Sequence, residues 1–425
     1  MCIRDSAVFS ATFGDVLDMF VLDALSDDPG DVSFNNVSDW SLEGDAFERL
    51  CLAIDEFGDI DFADIDFIGS DPDNVVELLS ALADSQMFDG PEGYLFGDFF
   101  YDQLMTSLSS GSSEYDVISM DVVWAGEFAA AGFISPIDMN MYKDGLQKNL
   151  YNAGSMTAGS YMGKQYTLPY FPDLGLLFFR SDIVSATDAA KLVTGNYTYD
   201  DLHNMAKNYK GRRGTTDGFV FQAKQYEGLT CNVTEFTGGL IDIKAGLETM
   251  KKFVTSDFVP KDILNYTEAE THNSFINGKS VFARNWPYQY GMLADAPVKT
   301  YQVGIAPLPK GSTVGGWLLG INKNSKNAEG AWEFIKYTSG WTGQMIMSRK
   351  GAYLPGYNYL LTDERVENPL LSYEGLQNAM KATISRPISA SYSKVSDTIQ
   401  VNVHKYLSGG QDLNTTVTNI NNALR

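Results

Sequence analysis

From residue 99 onward the apolar positions switch repeatedly between two spacings. YDQLMTSLSS puts Tyr101, Leu104, Met105 and Leu108 on one face at helical spacing. After the Gly/Ser cluster of Ser109 to Ser113, YDVISM is a short apolar run with β-branched residues and reads as a buried strand that ends on Asp121. The Ala-rich stretch Glu127 to Gly132 reads as a helix stopped by its glycine. The alternation continues, with strands expected over Leu176–Phe179 (after a Pro-punctuated stretch), Gly218–Gln222, Ser280–Trp286, Val303–Pro309 and Gly315–Asn322. Helices are expected over Tyr197–Gly211, Leu247–Val254 and Asn327–Gly340. Strands alternating with helices are the α/β signature. Open α/β sheets place ligands at the C-terminal ends of strands, which singles out Asp121 and, three residues on, Trp124. Together they offer an acceptor for hydroxyls and a flat apolar face.

The first quarter of the chain follows a different rule. Residues 1–100 hold 24 acidic side chains, two arginines and no lysine, whereas the remaining 325 hold 30 acids and 29 bases. Nearly all of the net charge of −23 therefore sits in this segment, and so acidic a chain argues against nucleic acid as a partner. Helices are expected at Gly14–Leu25, Asp45–Phe57 and Pro72–Phe88, the last capped by Asp71. The Asp-x-Asp steps of DEFGDIDFADIDF lack the glycine and closing glutamate of a calcium loop, so a solvated acidic face is the better reading. The opening MCIRDS has no apolar stretch of the kind an export signal needs. It looks like translated sequencing adapter, which leaves open whether residues 1–98 are native throughout.

Length and composition bound the rest. With 425 residues the chain has material for two cores, and 44% hydrophobic and 13% aromatic content fits packed domains. Three cysteines (Cys2, Cys51, Cys231) and three scattered histidines give no basis for a disulfide framework, a metal site or a cofactor, and none is expected.

Six segments of the body, in order, carry a family resemblance: SSEYDVISMDVVWAGEFAAAGFISPID, YTLPYFPDLGLLFFRSDI, GFVFQAKQYEGL, FINGKSVFARNWPYQY, GGWLLGINKNSKNAEGAWEFIKY and ISRPISASYSKVS. Together they resemble the extracellular solute-binding proteins of sugar ABC importers (family 1), of the trehalose/maltose-binding type. The resemblance implies a two-lobed periplasmic-binding-protein-like α/β fold of type II, whose ligand lies between lobes that close about a hinge. Residues 99–168 plus 274–312 are expected to form lobe 1, and 169–273 plus 313–425 lobe 2. The segment 1–98 offers no counterpart to the family's opening strand, so lobe 1 is expected to be incomplete.

By the same resemblance, Asp121 accepts sugar hydroxyls with Trp124 behind it, and Tyr170 and Asp173 form a stacking and accepting pair. Trp286 is an indole platform, Gly316 and Trp317 form a second one, and Arg386 donates to ring hydroxyls. A monomer is implied, outside the cytoplasmic membrane, with a sugar and a membrane permease as partners; lipid anchoring stays open. Plainer roles stand beside these: Asp121 capping the following helix, Trp124 packing in a core, Glu227 bonding backbone, Arg386 in a surface ion pair. Two other functions are weighed: a glycoside-processing enzyme with Asp121 and Asp173 as its carboxylate pair, and a binder of a non-sugar solute such as a polyol.

Overall fold

The computed structural model describes residues 97–425 apart from 295, 352 and 388. The acidic segment, its three expected helices and any early strand of lobe 1 lie outside the described residues, save that Gly97–Ser109 forms the amphipathic helix read around Tyr101 and Leu108.

Among the described residues ten strands follow in chain order: β1 (Val117–Asp121), β2 (Ser160–Tyr161), β3 (Lys164–Gln165), β4 (Thr167–Leu174), β5 (Leu176–Arg180), β6 (Asp217–Val220), β7 (Ser280–Asn285), β8 (Val303–Ala306), β9 (Ser312–Ile321) and β10 (Thr383–Ile384). β2 and β3 make a small hairpin. The others build two sheets. In the first, β9 pairs antiparallel with β1 and with β4, and its first two residues pair parallel with β10. In the second the order is β6-β7-β5-β8.

Every residue of β5, β7 and β8 is buried, the polar Arg180, Ser280, Arg284 and Asn285 included, so these strands are covered on both faces. Two cores result. The larger surrounds the second sheet with Leu177, Phe178, Phe219, Phe236, Phe253 and Ile305 among its members. The smaller lies on the first sheet and joins Leu104, Leu108, Ile118, Trp124, Phe128 and Leu318. The molecule is thus an α/β protein with two lobes, one per sheet.

The pairing groups the segments differently from the expected division. β7 and β8, from 274–312, hydrogen-bond to β5 and thus to the lobe of residues 176–220; β9, expected with that lobe, pairs with β1. Periodicity identifies a strand but not its neighbours, so the partition had to come from register. A second difference is β4, an eight-residue strand containing Pro169 and Pro172. Among the described residues β4 pairs on one side only, where a missing N–H costs no ladder bond, and its register shifts between Pro169 and Phe171.

The passages between the lobes include Gly175 between β4 and β5, residues 307–311 between β8 and β9, and the stretch from β10 toward the helix Tyr392–Ser408. The first two passages are tied together, since Gly175 N donates to Thr313 O at 3.0 Å. A side chain cannot fit at position 175, because its Cβ would stand 2.0 Å from Glu235 Oε1 and 2.6 Å from Arg284 Nη2. Those two side chains form an ion pair at 2.5 Å, each 1% exposed, with a second bond from Nε at 2.9 Å. Arg284 Nη1 also donates to Gln222 Oε1 at 3.3 Å, and Thr313 N donates to Glu235 Oε1 at 3.3 Å. A buried, doubly bonded charge pair therefore sits where two of the passages meet.

Candidate functional site

Three consecutive residues of β9 organise the site. Gly315 lies opposite Asp173, Gly316 opposite Pro172, and Trp317 opposite both Phe171 and Asp121. Residues far apart in sequence are thereby brought to one end of the first sheet, where the chain crosses to the second.

Asp121 closes β1. Its Oδ1 accepts from Val123 N at 3.1 Å and from Arg386 Nη2 at 2.8 Å. It does not cap the next helix: Ala125–Ala131 has Trp124 at its N-cap position, without a side-chain bond. Arg386 is buried and spans two carboxylates, its Nη1 reaching Glu227 Oε1 at 2.6 Å. Two flanking carboxylates hold its guanidinium protonated, well above the usual arginine range, against the cost of burial. Arg386 is thus committed to the protein's own carboxylates through both terminal nitrogens, and neither the surface ion pair nor the backbone-bonding Glu227 of the plainer reading is found.

Trp124 belongs to the smaller core, 8% exposed, packed against Tyr101 and Phe128. It meets Trp317 edge-to-face with ring centroids 5.7 Å apart, and so supports that half-buried indole from behind. Tyr170 falls at the register shift of β4 and is carried inward, 2% exposed, with its ring 5.2 Å from Phe171; the bulge takes it out of step with Asp173.

Trp286 follows β7 and is half-buried. Its Nε1 donates to Glu268 Oε1 at 3.1 Å, and the Arg284 guanidinium lies 4.0 Å from the ring centroid. Glu268 is held in turn by the Tyr226 hydroxyl at 2.6 Å. The first sheet meets this indole at Gly315, where a Cβ would approach Cζ3 to 2.7 Å. Of the two glycines, Gly315 is therefore the one facing the platform. Gly316 (φ +106°) answers a backbone need, since a Cβ there would strike Phe171 O at 2.4 Å.

Asp173 accepts from Leu174 N at 2.9 Å. Burial lifts its carboxyl to about 8; the Leu174 amide and Arg284 oppose the rise, while Asp121 and Glu268 add to it. The site therefore contains indoles at 286 and 317, carboxyls at 121, 173 and 268, and two buried arginines.

Sequence reasoning set Glu227 aside and did not consider Glu268, Arg284, Glu235 or Gly315. Lone charges inside apolar runs, Arg284 in SVFARN and Glu235 in LTCNVTEF, were the available signal. A separate depression lined by Asp188, Lys191, Asp201, Asn204, Tyr209 and Arg212 shares no residue with this site.

Residues 97–344 match the bacterial extracellular solute-binding protein family. The chain belongs to that family. Among curated relatives, a probable ABC transporter-binding protein of Deinococcus radiodurans is 28% identical over 331 residues, covering 71% of this chain and 77% of that protein. A maltotriose-binding protein of Pyrococcus abyssi is 24% identical over 271 residues, covering 59% of this chain and 56% of that protein. Among solved structures, maltose-bound MalE3 of T. maritima aligns with a TM-score of 0.67 at 28% identity, over 76% of this chain and 88% of that one. This solute-binding protein thus has the two-lobed fold of the sugar-importer group, and none of its described helices is long and apolar enough to cross a membrane.

Proposed function

We propose that this solute-binding protein serves an ABC importer by capturing a sugar, a disaccharide or short oligosaccharide, between its two lobes and delivering it to the membrane permease. The observation that carries the reading is the convergence on β9 residues 315–317: a half-buried indole from each lobe, Trp317 on the strand and Trp286 against Gly315, with Asp121 in register opposite Trp317 and Asp173 opposite Gly315. Sugar rings present apolar C–H faces and a rim of hydroxyls, so a site needs flat aromatic surface and fixed acceptors together. The maltotriose-binding and maltose-bound relatives support the same ligand class. Asp121 as an acceptor and Asp173 as a largely protonated carboxyl that can donate as well as accept then bond ligand hydroxyls rather than forming a hydrolytic pair, and the protein works outside the cytoplasmic membrane as a monomer. Calorimetric titration with maltose, maltotriose, trehalose and sucrose tests it: heat from at least one is expected. Silence from all four in a folded sample, or turnover of an aryl glycoside, defeats it.

A further inference from the structure

Glu227 opens the helix Glu227–Thr237 and collects three donors on one carboxylate: Arg386 Nη1 at 2.6 Å, the Tyr392 hydroxyl, and Ser396 Oγ at 2.6 Å. None of these donors is free to drift. Ser396 is fixed by Thr230 Oγ1 at 2.8 Å and Gln400 Nε2 at 3.0 Å, and Tyr392 is 1% exposed. Burial pushes the Glu227 carboxyl up, Arg386 pulls it back, and Asp121 adds to the rise. The opposite end of the guanidinium holds Asp121 Oδ1, which Val123 N also bonds. Among the described residues Asp121 Oδ2 accepts no bond, and the Asp121 side chain is 18% exposed. Which oxygen of Asp121 is left for a ligand is thus decided by Arg386, and where Arg386 stands is decided by Glu227.

We propose that Glu227 is a positioning residue for ligand capture: it fixes the Arg386 fork so that Asp121 presents Oδ2, and not Oδ1, to a ligand hydroxyl. This rests on the reading of Asp121 as a ligand acceptor. It makes the helix Glu227–Thr237, packed in the second lobe, a determinant of the geometry of an acceptor in the first. A merely structural Glu227 would neutralise Arg386 and matter equally whatever stood at position 121.

The test is a double-mutant cycle read by calorimetry with maltose, on the whole chain: wild type, E227Q, D121N and the pair, with the crystal structure of unliganded E227Q. E227Q is expected to weaken maltose binding about fivefold or more by releasing the charge-assisted bond. In the D121N background the same change is expected to cost less than about twofold. Wild-type affinity in E227Q, or the same fold-loss with and without Asp121, overturns the proposal. If circular dichroism shows E227Q unfolded, Glu227→Asp, which keeps the charge but withdraws it from Arg386, carries the same expectations. If wild type gives no heat, the maltose reading fails on its own, and the E227Q structure decides: an Arg386 that has left Asp121 supports the positioning role, and an unmoved Arg386–Asp121 bond overturns it.

Discussion

Gly315 and Trp286 come from different lobes and meet at contact distance: a Cβ at position 315 would stand 2.7 Å from Cζ3 and 3.1 Å from Cη2 of the indole. That glycine keeps the first sheet clear of the platform. Gly315→Ala is expected to displace the ring and weaken sugar binding about tenfold, ~1.4 kcal/mol, with little loss of stability. Calorimetry beside a urea titration separates the two effects.

Trp286 and Trp124 differ in kind. Trp286→Ala is expected to cost about 1–3 kcal/mol of binding, as one packed aromatic contact with the ligand. Trp124→Ala removes a core ring and is expected to cost about 3–5 kcal/mol of stability. Equal affinity in a folded W286A protein would place that indole in the scaffold.

Glu235→Ala leaves Arg284 charged, buried and unpaired where two passages meet. A loss of about 3–5 kcal/mol in denaturant unfolding is expected, with the Trp286 platform disturbed as well because Arg284 lies 4.0 Å from its ring centroid. Wild-type stability in E235A would mean that the pair is dispensable.

Asp173 gives a pH dependence of definite sign. Its carboxyl moves from the ordinary 3.8 to about 8 on folding, so the folded chain holds a proton that the unfolded chain releases. Its contribution to stability is full below about 3.8 and is lost as pH rises to about 8. Other carboxylates impose slopes of their own, so the informative quantity is the wild-type thermal midpoint minus that of Asp173→Asn. That difference is expected to fall steadily between pH 4 and 8; a flat difference contradicts the assignment.

How far the sequence carried the structure depended on the kind of signal. β1, β5, β7 and β9 were legible because short, mostly apolar runs between turn residues have few other readings. β4 was hidden by Pro169 and Pro172, which its one-sided pairing tolerates. Strand partnership was not legible at all: β9 binds β1 across some two hundred residues, and nothing in its own letters points there. Asp121 was singled out by its setting at a strand end, and Trp286 by the family resemblance. Glu227, Glu268 and Arg284 were not, since a buried charge makes sense only beside its partner. Arg386 stands 265 residues from Asp121 and 159 from Glu227.

The central position of β9 has a consequence for how the chain is born. Until Ile321 has left the ribosome, β1 and β4 have emerged without the strand they share, so the first sheet cannot assemble in the order of synthesis. Such late pairing makes folding slow and leaves strand edges bare in the meantime. The nascent protein is most in need of protection while residues 174–312 are being made.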